Sequence, residues 1–129
     1  MPSFKEAKTR DPQEAVDILF GDAMGVVPEL TDEQFQSAYE RMRQSWQSAS
    51  LVEGTEDEVK SHILKQSEEL AKMPGFKQFS IELCLADKGY KGEEAAQLWT
   101  WVGDAAIAGH LWKTKDKYHA FGVAIFRSA

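Results

Sequence analysis

The side chains of this chain that can carry acid–base, nucleophilic or metal chemistry are few: three histidines, one cysteine, and carboxylates scattered through 129 residues. The most capable set is Asp104, His110, Asp116 and His119, because imidazole and carboxylate can share a divalent metal or relay a proton. Their spacing does not assemble them. On a helix Asp104 and His110 would lie about 120° apart, and no His-x-x-x-His pair occurs, so neither a metal site nor a cofactor is expected. A pocket using Asp104, His110 or His119 is kept as the polar alternative. His62, with Glu58 four residues before it and Gln66 four after, reads as a surface histidine on a helix.

Cys84 is the only cysteine, which excludes an intramolecular disulfide and any multi-cysteine metal site within one chain. It sits in an apolar run, where a thiol behaves as a small inert hydrophobe. Lys88-Gly89-Tyr90-Lys91-Gly92-Glu93 contains two glycines but lacks the spacing of a phosphate-binding loop, and it reads as a connection between helices. Glu53, Glu56, Asp57 and Glu58 lack the regular spacing of a calcium loop and suit a helix N-terminus instead. Lys113, Lys115 and Lys117 alternate with Thr and Asp as a solvated turn would. No catalytic residue is assigned.

Tryptophan supplies the main hint of function. Trp99, Trp101 and Trp112 fall close together, and on a helical reading Trp101, Ala105 and Trp112 share one row beside small residues. A domain this small is hard pressed to bury three indoles in one helix, and an exposed tryptophan row is the kind of surface that partners use. These three residues are the expected binding interface.

The elements that must hold these groups announce themselves best in the first half. Asp11 with Pro12 and Glu14, Thr31 with Gln34, and Thr55 with Glu58 each place a capping residue three positions before Glu or Gln. Val16, Leu19, Phe20 and Ala23 follow the first start on one face. The second is flanked by Leu30 and Phe35 at hydrophobic-staple spacing, and the stripe Phe35, Ala38, Tyr39, Met42, Trp46, Ala49 predicts a helix over 32–49. The third is followed by Val59, Ile63, Gln66 and Leu70 and is stopped by Met73-Pro74-Gly75. Connections of about five to seven residues between these helices suit antiparallel packing.

The second half is less decided. Phe76 to Tyr90 alternates as a strand would at Phe79, Ile81, Leu83 and Leu85, but its Glu, Leu and Ala content and a closing Lys88-Gly89 favour a helix. Glu93 to Trp112 reads as a long helix with two apolar rows, packed on both sides. Tyr118 to Phe126 reads as a strand from its Val, Ile and aromatic residues.

The expected fold is therefore mainly helical: a compact bundle of four or five helices with a short C-terminal strand, in a single domain over 1–129. The alternative is an α+β fold with strands near 76–85 and 118–126. The composition, 43% apolar and 28% charged, is that of a folded globular chain. Its net charge of −6 is uneven, at −7 for residues 1–60 and +1 for the rest, which argues against nonspecific nucleic-acid binding by the first half. Ala95 to Trp112, the most apolar stretch, carries Gln97, Asp104 and His110 and reads as core, not as a membrane span. Met1 to Arg10 contains no apolar signal-like run, and with a single cysteine the expectation is cytoplasmic. The expected function is a noncatalytic regulatory or protein-binding domain, acting on a protein partner or on a second copy of itself. The alternative is a small enzyme or ligand-binding domain with a pocket lined by the C-terminal aromatics.

Overall fold

In the computed structural model, residues 6–21, 27–45, 47–84, 95–102 and 105–126 are described. The elements run β1 (Glu6–Thr9), α1 (Pro12–Leu19), α2 (Asp32–Ser45), β2 (Ser50–Gly54), α3 (Glu56–Ala71), β3 (Phe76–Cys84), β4 (Ala95–Val102), β5 (Ala105–Lys113) and β6 (Tyr118–Phe126). The six strands form one antiparallel sheet in the order β1-β3-β4-β5-β6-β2. This is an α+β fold, and it overturns the helical bundle expected from the sequence.

The three helices begin where the capping residues stand. Asp11 accepts a hydrogen bond from the Gln13 amide, with Pro12 in the first turn where its missing N–H costs nothing. The Thr31 hydroxyl accepts from the Gln34 amide, and the Gln34 side chain accepts in return from the Thr31 amide. Thr55 and Glu58 make the same reciprocal pair at the start of α3. α3 ends at Ala71, and Gly75 turns the chain into β3 with a left-handed φ of 86°.

Tyr118–Phe126 is the strand the sequence predicts, β6, whereas the described residues between 76 and 113 depart from the helical reading. Phe76–Cys84 is a strand, and the long helix expected over 93–112 is replaced by the hairpin β4–β5. Alanine is a strong helix former in isolation, but propensity is a weak prior that sheet pairing overrides. Trp99, Thr100, Trp101 and Val102 are all strand formers, and Val102 pairs with Ala105 across the intervening Gly103-Asp104, a dipeptide of the kind that joins hairpin strands. The first half also differs. The connections between helices are not simple loops, since Ser50–Gly54 forms edge strand β2 between α2 and α3, and Glu6–Thr9 forms the opposite edge.

The sheet is covered on both faces. On one, α1 and α3 bring Ala15, Val16, Leu19, Val59 and Ile63 against Phe79, Ile81 and Leu111. On the other, α2 brings Phe35 and Ala38 against Trp112 and Phe121, with Tyr39 and Met42 beside them. The chain crosses between faces through residues 28–30. These lie alongside the end of β5, where the Leu30 amide donates to the Lys113 carbonyl and the Lys113 amide to the Pro28 carbonyl. No helix among the described residues is long and apolar enough to cross a membrane.

Candidate functional site

Strand pairing places Ala7, Ile81, Leu98, Gly109, Gly122 and Ser50 in a single row across the whole sheet, each opposite the next. The row ends in two glycines and a serine, so side-chain volume disappears just where α3 crosses β5, β6 and β2. α3 does not make up the difference. Its buried stripe is Val59, Ile63 and Ser67, with a hydroxymethyl group at the third position where a large apolar residue would close the interface. A cavity of about 390 Å³ lies between them.

Leu19, Ile63, Leu70, Val52, Leu111 and Ala120 supply its apolar wall. Thr100 and Ser67, each only 1% exposed, supply polar groups to the lining. Gln66, Glu69 and Met73 line the cavity and are themselves exposed, so it opens toward the C-terminal end of α3. Glu69 is the only carboxylate among the described lining residues, and none of them is Lys or Arg. His62, expected at the surface, is half-buried and lines the wall.

Gly109 is not required by the backbone. A Cβ added there would meet the Phe121 carbonyl oxygen at 3.7 Å and the Gly122 Cα at 4.0 Å, both ordinary contacts, and no atom of α3 within that range. What the glycine provides is room above the sheet.

The polar residues singled out in the sequence do not converge on this space. His110 borders the cavity, but alternation along β5 puts Gly109 and Leu111 on the α3 face and His110 and Trp112 on the other. The His110 ring stacks on Trp112 at 5.6 Å, on the α2 side of the sheet. Burial lowers its pKa to about 4, so it is neutral at pH 7. Asp104 lies outside the described residues, and Asp116 sits exposed in the turn after β5. Among the described residues no three His, Cys, Asp or Glu side chains gather as a metal site requires.

His119 belongs to a different cluster. Its Nδ1 lies 2.6 Å from Glu53 Oε2 and its Nε2 3.0 Å from the Thr114 hydroxyl. Burial lowers its pKa, and the hydrogen bond to Glu53 partly offsets this. The neutral ring then donates from Nδ1 to the carboxylate and accepts at Nε2 from the hydroxyl, the order found in carboxylate–imidazole–hydroxyl triads. Access is what separates it from one. Thr114 and His119 are 6% and 2% exposed, Phe35 stacks on the imidazole at 3.8 Å, and none of the three residues reaches the cavity. The cluster ties edge strand β2 to the β5–β6 turn. Neither Glu53 nor Thr114 stood out in the sequence in this role.

The proposed tryptophan interface is likewise rearranged. Trp101 is in β4, opposite Gln78 and Ala106, whereas Ala105 and Trp112 lie at opposite ends of β5, so the shared helical row does not exist. Trp112 is 2% exposed, edge-on to Phe35 in the core beneath α2. The side chains of Trp101 and Ala105 lie outside the described residues.

The cavity residues that sequence reasoning missed are Ser50, Ser67, Thr100, Gly109 and Gly122. Only Ser67 left a trace, since it lies four residues beyond Ile63 and eight beyond Val59 on one helix face. Compared with protein-family models, curated proteins and solved structures, the chain finds no match.

Proposed function

We propose that this domain binds a small, mainly apolar molecule in the cavity between α3 and strands β5, β6 and β2. The observation that carries the reading is a 390 Å³ space whose largely apolar lining includes two buried hydroxyl residues, Ser67 and Thr100. In a ligand site the few polar groups within an apolar lining are the ones that orient the guest. The size lies within the range of small-molecule pockets. Of the three histidines His62 lines the wall, whereas His110 and His119 have their side chains on the far side of the sheet or sealed beneath Phe35. Contact with a protein partner, the other function the sequence suggests, loses Trp112 as a surface residue.

The test is an amide NMR titration with small neutral molecules such as benzyl alcohol and indole, on the parent chain and on Ser67→Leu. Shifts should centre on residues 63–73, 109–111 and 120–122 in the parent and vanish in the variant, whose added isobutyl group occupies the space. Shifts that scatter over the surface, or persist unchanged in a folded Ser67→Leu protein, would sink the proposal.

A further inference from the structure

We infer that the guest of this cavity is an amphipathic amine, its apolar body held between α3 and the sheet and its ammonium group at the opening beside Glu69. The inference rests on the binding role proposed above and concerns the chemistry of the guest's polar end.

The position of that end follows from two rows of lining residues on α3. Ile63 and Ser67 are buried against the sheet. His62, Gln66 and Glu69, spaced four and three residues apart, form a second row about 90° round the helix. All three line the cavity, and exposure rises along the row from half-buried His62 to exposed Gln66 and Glu69. This second row is the lip of the cavity. An apolar body meets Leu19, Ile63, Leu70 and Leu111 inside, while a charged group carried inward would find only hydroxyls to replace its water. A charged end therefore stays at the lip.

The sign of that charge is decided by one residue. His62 serves either sign, since a neutral imidazole accepts at one nitrogen and an imidazolium donates from both. Gln66 does the same through its amide oxygen or its NH₂ group. Glu69 breaks the tie, because an ionised carboxylate only accepts hydrogen bonds, attracts a cation and repels an anion. No Lys or Arg stands among the described lining residues to reverse this, and Lys65 and Lys72, on either side of Glu69 along the chain, are exposed and outside the lining. An ammonium group has three N–H donors, and the lip offers three kinds of acceptor: a carboxylate, an amide oxygen and an imidazole nitrogen. The net charge of −6 acts in the same direction by raising the concentration of cations near the surface. Because Glu69 is exposed, water and salt screen the attraction, so the preference is modest, about threefold to fivefold in affinity.

Three guests with one apolar body and different heads test the inference at pH 7: 2-phenylethylamine, which is cationic; 2-phenylethanol, which is neutral; and phenylacetate, which is anionic. Affinities are read by amide NMR titration of the full chain, which also shows whether the shifts fall on the cavity residues. The amine should bind about threefold to fivefold tighter than the alcohol, with the carboxylate weakest. Added salt should narrow the gap between amine and alcohol. In Glu69→Gln the amine should fall to the level of the alcohol, whose own affinity stays unchanged. Equal binding of amine and alcohol, or an amine preference that persists in Glu69→Gln, overturns the inference. Tighter binding of phenylacetate overturns it as well, and loss of that binding in His62→Gln would assign the head group to the histidine. Each of these results leaves the cavity as a binding site. Failure of the parent chain to bind any of the three removes the binding role itself.

Discussion

At the scale of single residues, the two buried histidines carry opposite designs. His119 has a partner on each ring nitrogen, and the Thr114 hydroxyl can donate or accept as the ring requires. Replacing Thr114 by Val keeps the shape and removes the partner, leaving Nε2 buried and unsatisfied. The expected cost is about 1–3 kcal/mol in urea unfolding, with Thr114→Ser restoring most of it. A loss no larger than that of an exposed substitution would show the contact to be incidental. Lys117, 3.9 Å from Glu53 and half exposed, adds little to this cluster.

His110 instead couples stability to pH. Its folded pKa is lowered from 6.5 to about 4 by burial alone. Between those values the unfolded chain binds a proton that the native one refuses, so stability must fall as pH drops from 6.5 toward 4. At 1.36 kcal/mol per unit, the loss by pH 4.5 is roughly 2–3 kcal/mol. His119, lowered for the same reason, adds a smaller loss of the same sign. Urea unfolding at pH 7 and pH 4.5 should show this difference in the parent chain and a clearly smaller one in His110→Phe. An equal pH dependence in the two proteins would assign the effect to other groups.

At the scale of elements, what was legible in the sequence was whatever is decided locally. A helix start is written within four residues, so Thr31-Gln34 and Thr55-Glu58 could be read without knowing the fold, and both form their reciprocal bonds. Strands are different, because their stability comes from partners far away in the chain. Ala95–Val102 and Ala105–Lys113 carry five alanines, which read as helix until β3 and β6 pair along their outer edges. Ser50–Gly54 is only five residues long and exists because β6 offers its edge. Gly54 marks the joint between the two kinds of information. It ends β2, and a Cβ there would meet Glu58 Oε1 at 3.2 Å and Glu58 Cβ at 3.3 Å, pressing on the side chain that completes the cap of α3. The Thr55 amide bond holds the Glu58 carboxyl below its usual pKa. Thr55→Ala should therefore cost about 1 kcal/mol. Gly54→Ala should disturb the same cap, and the double variant should lose less than the sum of the two in urea unfolding. Strict additivity would show that the strand end and the helix cap are independent.

At the scale of the whole molecule, the cavity depends on a register that no single segment contains. Gly109 and Gly122 become opposite only when β5 and β6 pair, Ser50 joins them only through β2, and Ser67 lies above them only because α3 packs on that face. Each residue alone has an ordinary explanation, which is why the site was invisible in the sequence while the caps were not. Their coincidence has an energetic consequence that differs in sign from the usual case. At a filled helix–sheet contact, enlarging a buried serine to leucine forces overpacking and costs about 1–3 kcal/mol. Over an empty space the same change adds apolar contact, and cavity filling of this kind contributes about 0.5–2 kcal/mol of stability. Ser67→Leu should therefore be more stable than the parent chain in urea unfolding, with an unchanged m-value, while losing the capacity to bind small neutral molecules. Leu111→Ala, on the opposite wall, should lose about 2–5 kcal/mol because its side chain is already part of the packed core. A destabilised Ser67→Leu protein would mean that α3 already closes on the sheet at that point, and the space on which the proposed function depends would not exist in solution.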